Sequence, residues 1–105
     1  MDQTPIKVWV DEDIAELIPG YMERRRVDLV MISEALQVED FEKIMVIGHS
    51  MKGSGGGYGF PFISEIGREL EGHVVLKNAE GIILCRDLLE YYIRHLDILV
   101  KPSER

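Results

Sequence analysis

The sequence is poor in cysteine: Cys85 is the only one in 105 residues, so an internal disulfide is impossible. No two residues among Cys85, His49, His73 and His95 stand at a short ligand-like spacing, and no metal site is expected. Long apolar runs are missing as well. The longest in the central segment, Ile44 to Ile47, falls far short of the roughly 20 residues that a membrane-spanning helix requires. The opening residues, "MDQTPIKVWVDED", lack the basic and apolar regions of a secretory signal, which makes the cytoplasm the expected compartment. Positive charge is scarce: 12 Lys and Arg against 19 Asp and Glu leave a formal charge of -7. That balance repels phosphate backbones and anionic lipid unless a local patch overrides it. The basic cluster Arg24 to Arg26 sends three consecutive side chains in different directions on a helix and reads as a solvated collar. Neither nucleic acid nor membrane is an expected partner.

What is present has the balance of one soluble domain spanning residues 1–105, with 46% hydrophobic and 30% charged residues. Two domains would each be too small to bury a good core. Ile6, Val8 and Val10 alternate with Lys7 and Trp9, the period of a short extended arm, and one strand alone cannot make a sheet. From Asp11 the apolar spacing changes to three and four, through Ile14, Leu17, Ile18, Tyr21, Met22, Leu29, Ile32 and Leu36. Pro19 and Gly20 interrupt it, so a short leading helix to about Ile18 and a longer one from Pro19 are predicted. A second helix begins near Glu39 and Asp40 and turns Phe41, Ile44, Ile47 and Met51 to the core. A third starts at Pro61 with Phe62, Ile63, Ile66, Leu70 and Val74 as its stripe. The fourth, capped by Asn78, carries Ile82, Cys85, Leu89, Tyr92, Leu96 and Leu99 before Pro102 ends it. The predicted fold is all-α, an up-and-down four-helix bundle with a short N-terminal arm and a short leading helix.

One stretch holds most of the chemistry: "GHSMKGSGGGYG", Gly48 to Gly59. It fails as a nucleophile elbow, because Lys52 stands where the second glycine of G-x-S-x-G belongs and no strand precedes it. It fails as a Walker loop too, since Lys52, Gly53 and Ser54 come in the wrong order, and as a dinucleotide fingerprint, since Tyr58 replaces the third glycine. A working histidine remains. His49 is two residues from Ile47, roughly 200° around a helix, so it faces away from the core beside Met45, Val46, Lys52, Gly53 and Gly56. An imidazole is a competent nucleophile near neutral pH, a lysine one turn on can steady an incoming phosphoryl group, and Gly53 keeps the approach open.

The segment "HSMKGSGGGYGFPFISEIGRELE", His49 to Glu71, resembles the signature of histidine phosphotransfer domains: His-x-x-Lys-Gly-Ser, a glycine near the tenth position, and Leu-Glu on the next helix. The resemblance implies a four-helix bundle whose exposed histidine takes a phosphoryl group from the aspartate of one receiver domain and passes it to another. By that resemblance His49 is the phospho-acceptor, Lys52 the phosphoryl-stabilising cation, Gly53 the small residue admitting the partner, and Ser54 a polar support. Met45, Val46 and Gly56 are candidates for partner docking. The triple glycine Gly55 to Gly57 departs from the pattern, since each glycine inside a helix costs about 1 kcal/mol relative to alanine. Either the helix ends just after Ser54 or close packing holds it to about Tyr58, and the resemblance favours the second.

The expected role is a monomeric phosphoryl carrier in a two-component phosphorelay, without its own ATP site or kinase activity. It would need no cofactor, with Mg²⁺ residing on the partner receiver. The partners implied are response-regulator receiver domains, with a hybrid histidine kinase as a further candidate. The competing reading from another class is a helical docking module that binds a receiver or kinase without carrying phosphate. His73 and His95 lack a Lys-Gly pair one turn on and read as structural, and Cys85 reads as a small core residue.

Overall fold

The computed structural model describes residues 4–103. Strand β1 (Ile6–Asp11) is followed by a single 3₁₀ turn (Ala15–Leu17) and four helices. These are α1 (Ile18–Gln37), α2 (Phe41–Ser54), α3 (Pro61–Val75) and α4 (Ala79–His95), and strand β2 (Leu96–Lys101) closes the chain. The bundle is the predicted one. Its axis is filled by Ile32, Ile44, Met51, Phe60, Ile63, Leu70, Ile82 and Leu89, all at most 1% exposed. Leu17 and Phe62, placed on the apolar stripes by spacing, stay partly in solvent.

Local chemistry sets the helix ends. Asp40 accepts a hydrogen bond from the Lys43 N–H at 3.1 Å, and Asn78 accepts one from the Gly81 N–H at 3.2 Å, each satisfying a donor that the first turn leaves unpaired. The two hairpins are built alike. Glu39 (φ 54°) and Lys77 (φ 51°) take the left-handed conformation, and the next N–H in each turn reaches back to Ala35 or His73.

Two expectations are corrected at the chain ends. The leading helix is only the turn Ala15–Leu17, with α1 starting one residue before Pro19. The fourth helix stops at His95, and Leu96 and Leu99 belong to a strand, not to its seam. β1 therefore does have a partner: it pairs in parallel with β2, Ile6 opposite Leu96 through Asp11 opposite Lys101. A parallel pair needs a long crossover, and here the whole bundle supplies it. The spacing of Leu96 and Leu99 fits a helix as well as a half-buried strand, and the partner that decides between them lies at the opposite end of the chain.

The collar reading of Arg24 to Arg26 is corrected as well. Arg25 is 3% exposed and its Nε donates to Asp28 Oδ2 at 2.8 Å. Its guanidinium lies 4.5 Å from the centre of the Tyr21 ring, a cation–π contact. Arg24 and Arg26 remain exposed.

The closest helix pair is α2 with α3. A Cβ on Gly67 would stand 2.5 Å from the Lys52 backbone nitrogen and 2.6 Å from the Gly48 carbonyl oxygen, so only a glycine lets the two backbones meet. Gly67→Ala must push them apart, an overpacking expected to cost about 1–3 kcal/mol. Chemical denaturation reads this as a lower midpoint at constant slope, and an unchanged midpoint would contradict the argument.

Candidate functional site

The meeting of Gly48 and Gly67 decides what faces what. His49 follows Gly48 on α2, Lys52 lies one turn on, and Glu71 lies one turn beyond Gly67 on α3. Close backbones bring the three side chains together. Lys52 Nζ stands 2.8 Å from Glu71 Oε1, and His49 Nδ1 stands 3.3 Å from Glu71 Oε2. The His49 side chain is 73% exposed, while Glu71 is mostly covered at 19%.

The Glu71 carboxyl is held below its usual range, chiefly by the hydrogen bond from Lys52 and further by His49, against an opposing desolvation. A depressed carboxyl keeps its contribution above the ordinary glutamate range and loses it only as pH falls through the lowered value. At neutral pH Glu71 is therefore an anion and can only accept hydrogen bonds. The contact with His49 is then a hydrogen bond when Nδ1 carries the proton, which leaves the Nε2 lone pair free on the exposed ring. Exposed ion pairs add little stability. The value of this one is orientation of the ring and the ammonium group.

The other candidates fall in different places. Gly53 is exposed, with no atom within 4 Å of where a Cβ would stand, so the approach past Lys52 is clear. Ser54 is engaged on the α1 side, with its hydroxyl 2.7 Å from the Ser50 carbonyl and 2.9 Å from the Tyr21 hydroxyl. Val46 is 66% exposed and Met45 half-buried, so α2 is not buried all round. The helix ends at Ser54 and does not run to Tyr58. Gly56 lies in a following 3₁₀ turn (Gly56–Tyr58), where its N–H donates to Ser64 Oγ at 2.8 Å. Tyr58 stacks on Tyr21 with centroids 4.3 Å apart, and Phe60 is fully buried, so the two aromatics close this turn over the core.

Two features escaped the candidate set drawn from the sequence. Glu71 was visible only as the last residue of the signature, with no indication that it would bridge His49 and Lys52. The second is a groove of about 390 Å³ between α1 and α2, lined by Leu17, Gly20, Tyr21, Arg24, Ser50 and Tyr58. It opens beside the His49 turn. His95 accounts for itself structurally, stacked on Tyr91 at 4.1 Å with Nδ1 2.8 Å from the Tyr91 carbonyl.

Residues 16–101 match the Hpt domain family, and the chain belongs to that family. No curated protein and no solved structure shows a significant match. Hpt domains are histidine phosphotransfer modules of phosphorelays: they carry phosphoryl groups, are not kinases, and work with receiver domains and kinases. Among the described residues no helix is long and apolar enough to cross a membrane.

Proposed function

We propose that this chain is a phosphoryl carrier in which His49 takes the group from a receiver-domain aspartate and returns it to a second one. The observation that carries the reading is the exposed His49 ring, held through Nδ1 by the same carboxylate that holds Lys52. In the forward step Nε2 forms a bond to phosphorus and the bond from phosphorus to the aspartyl oxygen breaks, its electron pair leaving with the aspartate. The positive charge that develops on the ring faces Glu71, and Lys52 stands within reach of the phosphoryl oxygens. The group arrives already activated, so the receiver, with its own carboxylates and Mg²⁺, supplies most of the catalysis.

Docking has to align donor and acceptor and exclude water. Val46 and Met45 on α2 form one side of the proposed surface, and the groove walled by Leu17 of the 3₁₀ turn and by Gly20 and Arg24 on α1 forms the other. Gly53 and Gly56 leave room for the receiver's loops at the far end.

The test is transfer from a phosphorylated receiver, read as an acid-labile, base-stable phosphoryl group on this chain. No label from any of several receivers, with the protein folded and binding them, would instead establish the docking module. Lys52→Ala is expected to slow transfer roughly 10- to 100-fold, no more than loss of a preorganised donor elsewhere, because the receiver retains its own charges. Its thermal midpoint should stay near that of the parent. A rate unchanged by Lys52→Ala would remove the cation from the mechanism.

A further inference from the structure

α3 carries chemistry on two faces. Glu71 points to α2, and Glu69 and His73, two residues to either side, lie roughly 200° away around the helix, toward α4. There Glu69, His73 and Cys85 each bring one ligand atom to a common place, all within 4.8 Å of one another. In a tetrahedral zinc site, bonds of about 2.0–2.3 Å put ligand atoms roughly 3.3–3.8 Å apart. Modest side-chain closure would complete three corners.

Two further observations favour a built site. The His73 imidazole occupies the space a side chain at position 81 would fill: a Cβ on the buried Gly81 would run into the ring, at Nδ1 first. Asn78, which caps α4 through its Oδ1, also holds its Nδ2 donor 3.4 Å from His73 Nδ1 and ties the ring to the turn, with the ring proton then on Nε2, where a metal ion would displace it. In addition, Cys85 is not sealed on every side. A cavity of about 100 Å³, lined by Phe62, Glu65, Ile66, Glu69, Cys85 and Leu88, opens against it.

We propose that Glu69, His73 and Cys85 form a binding site for a thiophilic divalent cation of the zinc class, with a fourth, open position toward the cavity. A thiol and an imidazole select zinc-like ions over Mg²⁺ or Ca²⁺, which prefer all-oxygen sets. The expectation of no metal rested on histidine and cysteine spacing alone. Glu69 and His73 stand one helical turn apart, a spacing that holds two ligands on one face, and only the packing of α4 adds the third. Burial, with the nearby Glu69 carboxylate, pushes the Cys85 thiol up to about 11, so the metal must displace its proton on binding. A bound ion would clamp α3 to α4 behind the face that presents Glu71. This goes beyond phosphotransfer and does not depend on it.

The test is titration of the full chain with Co²⁺. One equivalent should bind with tetrahedral visible bands and a thiolate-to-cobalt charge-transfer band, and Zn²⁺ should displace it and raise the thermal midpoint. Cys85→Ser should remove the charge-transfer band. Because that change places a hydroxyl in the core, Glu69→Gln and His73→Gln, nearer the surface, provide the second arm. Each should weaken binding at least about tenfold while leaving the helical circular dichroism intact. His49→Ala should bind Co²⁺ as the parent does, which separates this site from the Glu71 cluster and from the outcome of any transfer assay. An octahedral spectrum without a thiolate band, or equal affinity in both surface variants, would overturn the proposal.

Discussion

His49→Ala is expected to abolish phosphoryl labelling completely while leaving the protein folded and able to bind receivers. The ring lies mostly in solvent and makes one hydrogen-bond contact, to Glu71. Its removal should therefore change stability by no more than about 0.5 kcal/mol, as for surface substitutions away from special features. No other histidine can take over. His95 is stacked on Tyr91 and bonded to its carbonyl, and His73 is set between α3 and α4 against Gly81. Neither has a Lys-Gly pair one turn on in the sequence. The measurement is transfer from a labelled receiver at equal concentrations of the two proteins, with binding followed independently by calorimetry. Label persisting on the variant would move the acceptor elsewhere, whereas loss of label together with loss of binding would mean that His49 mainly holds the complex together. Equal binding without label assigns the chemistry to the ring.

Asp28→Ala is the substitution expected to damage the fold most. Asp28 is 4% exposed and pairs with the equally buried Arg25. Desolvation raises the Asp28 carboxyl above its usual range, with Arg25 pulling the other way. A carboxyl raised on folding binds its proton more tightly in the native state, so its effect on stability becomes less favourable as pH rises through that interval. At neutral pH the pair is thus held under a desolvation penalty that the Arg25 guanidinium offsets. Removing Asp28 leaves a buried, unpaired cation and is expected to cost about 3–5 kcal/mol, a large share of the roughly 5–15 kcal/mol that holds a domain together. The Tyr21 ring and the Ser54 hydroxyl, 3.5 Å from Arg25 Nη1, recover little of that. Replacing both members, Arg25→Met with Asp28→Leu, should return stability close to that of the parent, because no charge is then stranded. Urea denaturation of the two singles and the double closes the cycle. If Asp28→Ala unfolds at the parental midpoint, Arg25 has found solvent and the pair is not a buried one in solution.

The residues that act over one or two turns were legible in advance. The stripe Ile44, Ile47 and Met51 put His49 on the open face, and the structure leaves it there. Asn78 and Asp40 were readable as helix starts because a capping side chain bonds to a backbone N–H only three residues on. The Arg24 to Arg26 cluster was misread at its middle residue, since spacing places Arg25 on a face but does not reveal the Asp28, Tyr21 and Ser54 that receive it there.

By itself, then, the sequence determined four amphipathic helices, the caps of the second and fourth, and an exposed histidine with a lysine one turn away, because all of these depend on contacts between residues three or four apart. Only the tertiary structure decided that Glu71 would hold both His49 and Lys52, that Leu96 to Lys101 would leave the helix to pair with Ile6 to Asp11, and that Cys85 would meet Glu69 and His73. Each of those depends on which distant backbones approach closely. That in turn rests on features no local period records, such as two glycines on facing helices and a strand waiting at the other end of the chain.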